Sequence, residues 1–106
     1  MDGPLRAEEL LTLSGGARRL ADLVAASEAP LRYEVVRHLL RVSEETMIEV
    51  LEEAVAARLV ARGADASTYV PYDAETGAAI REGMDAERLA RLRSQIDGAA
   101  QRVFGE

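Results

Sequence analysis

Val42-Ser43-Glu44-Glu45-Thr46-Met47-Ile48-Glu49-Val50-Leu51-Glu52-Glu53-Ala54-Val55-Ala56-Ala57-Arg58-Leu59-Val60 is the segment from which the rest of this chain can be placed. It opens with the signature of a helix start. Ser43 is a good N-cap, and Glu44 and Glu45 fall in the first turn, where the helix dipole favours negative charge. Val42 and Met47 stand at the two positions of a hydrophobic staple. Met47, Ile48, Leu51, Ala54, Val55 and Leu59 then recur at helical spacing, which predicts an inward stripe on a helix over 43–59. At Leu59 the period changes. Leu59-Val60-Ala61-Arg62 and Ser67-Thr68-Tyr69-Val70 alternate like strands around Gly63-Ala64-Asp65-Ala66, a β-hairpin pattern that Pro71 stops.

Working back from Val42, the residues Val35, Val36, Leu39 and Leu40 predict a helix over 31–41, joined to the next by a very short connection at Arg41-Val42. Before it, Ala17, Leu20, Ala21 and Val24 mark one face of a helix over 17–27, ended by Glu28-Ala29-Pro30. Leu5, Leu10, Leu11 and Leu13 predict a short helix over 5–13, and Ser14-Gly15-Gly16 reads as a linker. Beyond the hairpin, Asp73 caps a short helix over 74–82, weakened by Gly77. Asp85 caps a last helix over 85–104, in which Leu89, Leu92, Ile96, Ala99 and Val103 form a narrow seam. Gly98 argues against a long coiled coil. The seam packs back on the helices over 5–13 and 17–27, or pairs with a second copy in a homodimer. The expected fold is mainly α with a small β-hairpin. It is a winged helix-turn-helix with additional N- and C-terminal helices, one domain over 1–106 with its core at about 16–84.

Composition narrows the function. Apolar residues make up 48% and charged residues 30%, the balance of a globular domain and not of a disordered chain. There are no cysteines, so neither a disulfide framework nor a thiolate metal site is available. No apolar run is long enough to span a bilayer, and the start lacks a secretion signal, so a cytoplasmic location is expected. The net charge is −6, which disfavours nonspecific binding to nucleic acid or to an anionic membrane. All 13 basic residues are arginine, the pattern expected of a GC-rich genome. Arg81, Arg88, Arg91, Arg93 and Arg102 alternate with Glu82, Asp85, Glu87 and Asp97, which reads as a solvated surface with local ion pairs.

In a helix-turn-helix the second helix ordinarily presents Arg, Lys, Asn or Gln to the major groove. Here the corresponding helix carries Glu44, Glu45, Glu49, Glu52 and Glu53, and the wing tip offers Asp65. Phosphates would repel such a surface. Glu45, Glu49, Glu52 and Glu53 are therefore the candidate interaction face for a basic protein partner, against the plainer reading of a solvated acidic face. A small dimeric DNA-binding transcriptional regulator is the alternative reading of the same fold. Enzymatic activity is not expected: His38 is the only histidine, on a helix flank between Val35 and Leu39, and no nucleophile motif or metal-ligand spacing accompanies it. Tyr33, Tyr69 and Tyr72 read as core and wing-packing residues. No cofactor or metal is expected.

The segment from Gly16 to about Phe104 resembles the winged-helix domain of STAND-type signalling ATPases, including large LuxR-family regulators. The resemblance is carried by Ala17-Arg18-Arg19-Leu20, by Val42-Ser43-Glu44-Glu45, and by the run from Ile48 to Val60. That run is similar to the family's "leu-glu-glu-ala-val-ala-ala-gly-leu-leu" helix leading into the wing. Tyr69 to Asp73 and Asp85-Ala86-Glu87-Arg88-Leu89 continue it. It implies a regulatory module in signalling or transcription control, packed between an ATPase core and downstream sensor repeats. The chain departs from the pattern after the wing, where Tyr72 stands in place of a phosphate-sensing histidine. It also lacks a Gly-rich phosphate loop, so the ATPase itself is excluded from this sequence.

Overall fold

The computed structural model describes residues 15–65 and 67–105. Five helices and three short strands follow one another in it: α1 (Gly15–Ala26), β1 (Leu31–Arg32), α2 (Tyr33–Leu40), α3 (Glu44–Ala56), β2 (Val60–Arg62), β3 (Thr68–Pro71), α4 (Ala74–Glu82) and α5 (Ala86–Phe104). The fold is mainly helical with a small antiparallel sheet. The helix expected over 5–13 lies outside the described residues.

Three of the expected caps form. Ser43 Oγ accepts the Thr46 backbone N–H at 3.1 Å, Asp73 that of Thr76 at 2.7 Å, and Asp85 that of Arg88 at 2.7 Å. Each satisfies an N–H that has no partner within its own helix. Other boundaries differ from expectation. Gly15 and Gly16 form the first turn of α1 instead of a linker. A Cβ on Gly16 would sit 2.8 Å from a methyl of Val50, so its bareness lets α1 lie close on α3.

The helix expected to run to 59 stops at Ala56. Leu59 N–H donates to Ala54 O and Arg58 N–H to Val55 O, both at 3.0 Å, with Arg58 at φ 62. This is a Schellman closure, in which a left-handed residue lets the last carbonyls find donors. It turns Leu59 into the core at 2% exposure and sends Val60 straight into β2.

The sheet has three strands where a two-stranded hairpin was expected. Its order is β1-β3-β2, with Leu31 opposite Tyr69 and Arg32 opposite Thr68 on one side of β3, and Ala61 opposite Val70 on the other. The helix expected to begin at 31 therefore begins at Tyr33, because Leu31 and Arg32 pair with β3. Tyr33 N–H extends that ladder to Ser67 O at 2.9 Å. α4 packs against the end of β3. A Cβ on Gly77 would lie 3.0 Å from Pro71 Cβ, so the glycine that weakens the helix also permits this approach.

One apolar core joins these elements. Leu20, Leu23 and Val24 of α1, Val36 of α2, Met47 of α3, and Leu59 and Val60 are its largest fully buried side chains. α5 adds Leu92, Ile96 and Ala99, lying chiefly on α2 and also on α1. Arginines fasten the carboxyl end of α1. Arg81 donates to Ala25 O at 3.0 Å and Arg93 to Ala26 O at 2.9 Å, while Arg88 pairs with Asp22 at 2.6 Å. Cations favour the negative end of a helix dipole, and these carbonyls have no partner inside α1. The expectation of local ion pairs on the C-terminal helices is thus corrected: these arginines reach across the chain to α1, and Arg93 also pairs with Glu28 at 3.5 Å.

Candidate interaction face

α3 sits with Met47, Val50 and Ala54 inward, at 0%, 6% and 0% exposure. The expected inward stripe included Ile48, Leu51 and Val55. The structure turns Ile48 and Val55 away from the core, at 50% and 44% exposure, while Leu51 is half-buried and packs against the edge of the core. The helix is rotated by roughly one residue because Met47-Ile48 and Val50-Leu51 are adjacent apolar pairs, and the smaller Val50 fits against Gly16. At about 100° per residue the helix then has three faces. The core stripe is one. Glu45, Glu49 and Glu52 form an exposed row on the side opposite to it. Ile48, Leu51 and Val55 form an apolar strip between them, with Glu44 at its upper edge.

The apolar strip is one wall of a cleft of about 460 Å³. Tyr33 of α2 and Tyr69 of β3 form the other wall, and Glu52 and Arg62 stand at its rim. The sheet makes this juxtaposition: pairing of β1 with β3 brings the start of α2 beside Tyr69. Of the four expected interaction residues, Glu45, Glu49 and Glu52 are exposed on one side. Glu53 is half-buried, on the flank towards the core. Sequence reasoning missed the apolar cleft beside the carboxylates, since Tyr33 and Tyr69 come from distant segments. The doubled apolar pairs on α3 were the only local signal for it.

The turn of the β2–β3 hairpin carries a negative charge. Asp65 accepts the Ser67 backbone N–H at 3.1 Å and the Ser67 hydroxyl at 3.0 Å. These two hydrogen bonds, the backbone one first, hold its carboxyl below the ordinary carboxylate value, despite a small opposing effect of desolvation, and Arg32 adds to the lowering.

Of the expected packing or dimer seam, Leu92 and Ile96 are buried in the core of the same chain, and Leu89 and Val103 are half-buried. Tyr69 is buried, Tyr33 half-buried and Tyr72 45% exposed, so Tyr72 is not a packing residue. His38 is exposed on α2. Among the described residues no group of three or more His, Asp or Glu side chains could hold a metal ion. Among them, too, no helix is long and apolar enough to cross a membrane. Comparison of the chain with protein-family models, curated proteins and solved structures gives no match.

Proposed function

We propose that the chain is a non-enzymatic winged-helix regulatory module that docks a protein partner through α3. The observation that carries this reading is the strip of exposed Ile48 and Val55 with half-buried Leu51 between them, lying beside the Glu45–Glu49–Glu52 row. An apolar cleft with the Glu45–Glu49–Glu52 row along one side, and Arg62 as the one basic residue of its lining, fits a partner segment that offers apolar anchors with Arg or Lys on the side facing the row. The same face disfavours DNA, because groove insertion would bring three carboxylates and the Asp65 wing tip between phosphate strands.

Two features support the winged-helix assignment. The order of α1, two closely connected helices and a hairpin is the one expected from the sequence, and β1 adds an outer strand to that hairpin. Arg58, at φ 62, also stands where the resembled STAND-type sequences carry glycine, the residue that this conformation favours. On this reading the partner is an ATPase core or an associated regulator, and the module transmits its state through the α3 contact.

The test is site-specific photocrosslinking in cells that make the protein, with the reactive group at Val55 or, as a control, at Arg91 on the exposed side of α5. The expected result is a discrete adduct with a signalling ATPase from Val55 alone, lost when Ile48→Asp is added. Salt-sensitive binding of duplex DNA at about nanomolar strength would overturn the reading.

A further inference from the structure

The basic side chains are distributed unevenly over the described residues. Arg81, Arg88 and Arg93 are committed to α1. Three others converge elsewhere. Arg19 of α1, His38 and Arg41 at the end of α2, and Gln95, Gly98 and Arg102 on or beside α5 line one open cleft of about 510 Å³. No carboxylate lines it. Among the described residues none of its three arginines has an ion-pair partner. Like charges gathered without a counter-charge repel one another, in a chain whose net charge of −6 offers ample carboxylates that could have been placed there.

One backbone feature of the same cleft lacks a packing explanation. Gly98 is exposed in the middle of a 19-residue helix, where glycine is the least favourable residue after proline. A Cβ at this position would meet nothing within 4 Å, so no neighbour requires its absence. A bare Cα on the cleft wall does let a ligand reach the helix backbone. Arg41 holds φ 57 as the left-handed cap that closes α2, its N–H donating to Arg37 O at 3.0 Å. Arg58 shares that conformation, so what distinguishes Arg41 is its convergence with Arg19 and Arg102.

We propose that this cleft binds a ligand bearing a diphosphate group. Guanidinium groups match phosphate oxygens in paired hydrogen bonds, and three of them balance the charge of a diphosphate. The Gln95 amide and the His38 ring add polar contacts. The volume lies within the range of small-molecule sites, about 300–1,000 Å³. The site shares no residue with the α3 docking face and stands or falls apart from it.

The experiment is calorimetric titration of the full chain at about 0.1 M ionic strength, with sodium pyrophosphate in one arm and a nucleoside diphosphate in the other. The expected result is saturable binding at one site. Arg41→Gln and Arg102→Gln each weaken it about five- to tenfold, while Arg91→Gln, on α5 but outside the cleft, changes it by less than about twofold. Gly98→Leu keeps every charge and melts no lower than the wild type, yet abolishes binding. Tighter binding of the nucleotide identifies the source as a nucleotide, and equal binding a bare diphosphate; both uphold the site. The proposal is overturned if neither ligand saturates by about 10 mM, if Gly98→Leu binds like the wild type, or if Arg91→Gln weakens binding as much as Arg102→Gln. Self-association that Arg102→Gln abolishes and pyrophosphate leaves unchanged would overturn it in favour of a second copy's carboxylates.

Discussion

Met47 and Ile48 are neighbours in sequence and sit on different faces of α3, so replacing each with alanine tests the rotation of the helix directly. Met47 is fully buried in the apolar core. Truncating a buried methionine to alanine removes its transfer free energy and leaves a cavity, at a cost of about 2–5 kcal/mol. Ile48 is 50% exposed. Full burial of such a side chain is worth about 1.5–3 kcal/mol, so half-burial is worth about 1 kcal/mol. No cavity forms at the surface, and the better helix propensity of alanine returns a few tenths of a kcal/mol. For a chain of this size about 1 kcal/mol shifts Tm by about 4–8 °C. Met47→Ala should therefore lower Tm by at least about 10 °C, and Ile48→Ala by less than about 8 °C. Thermal melts followed by circular dichroism at fixed protein concentration read both. Equal losses, or a larger loss for Ile48→Ala, would mean that Ile48, Leu51 and Val55 face the core, and the docking cleft would cease to exist.

Three further outcomes follow from the local geometry. Arg58→Gly should raise stability by up to about 1 kcal/mol in urea titrations, since glycine removes the left-handed strain at φ 62 and gives part of the gain back as unfolded-state entropy. Gly77→Val should cost about 1–3 kcal/mol in the same assay, because its Cβ already meets Pro71 at 3.0 Å and the added methyls have nowhere to go. Gly77→Ala should stay within about 1 kcal/mol of the wild type, its helix propensity offsetting the tight contact. The Thr76 backbone N–H, and secondarily the Thr76 side chain, hold the Asp73 carboxyl below its ordinary value of 3.8. A depressed folded-state pKa contributes stability that is present above the unfolded value and is lost as pH falls through the folded one. Asp73→Asn, which keeps a cap but cannot titrate, should therefore lose less Tm than the wild type when melts are stepped from about pH 6 to about pH 2.

The parts of the fold that could be read in the sequence are those fixed by neighbouring residues. Ser43, Asp73 and Asp85 announce their helices because a cap acts over three residues. The hairpin around Gly63 is legible for the same reason. β1 is not, since two residues after Pro30 carry no strand pattern, and only pairing with Tyr69 and Thr68 makes them one. The rotation of α3 was ambiguous from the start: Met47-Val50-Ala54 and Ile48-Leu51-Val55 are both apolar rows at helical spacing, and Gly16 on another helix decides between them. The candidate site was half legible. Its carboxylates are local, whereas Tyr33 and Tyr69 arrive through strand pairing. The Arg19–Arg41–Arg102 cleft was invisible for the same reason, because three helices contribute to it.

In the proposed docking reading, charge and apolar surface on α3 have separate tasks, and the same separation disfavours DNA. Most nonspecific affinity for a duplex comes from cations that displace condensed counterions, and the exposed row of α3 offers none. Insertion into a groove would also leave the Ile48–Leu51–Val55 strip against a wet, charged wall, gaining nothing from its apolar area. Against a partner with Arg or Lys around apolar anchors, the same residues act together. Glu45, Glu49 and Glu52 lie at the exposed edge, where charges speed encounter and lose influence as salt rises. Ile48 and Val55 lie beside a cleft walled by two tyrosines, where buried anchors slow dissociation. In this proposed reading Ile48 and Val55 are the anchors because they are neighbours on one strip beside the cleft, and a contiguous apolar strip, unlike a single exposed side chain, is what a partner can cover.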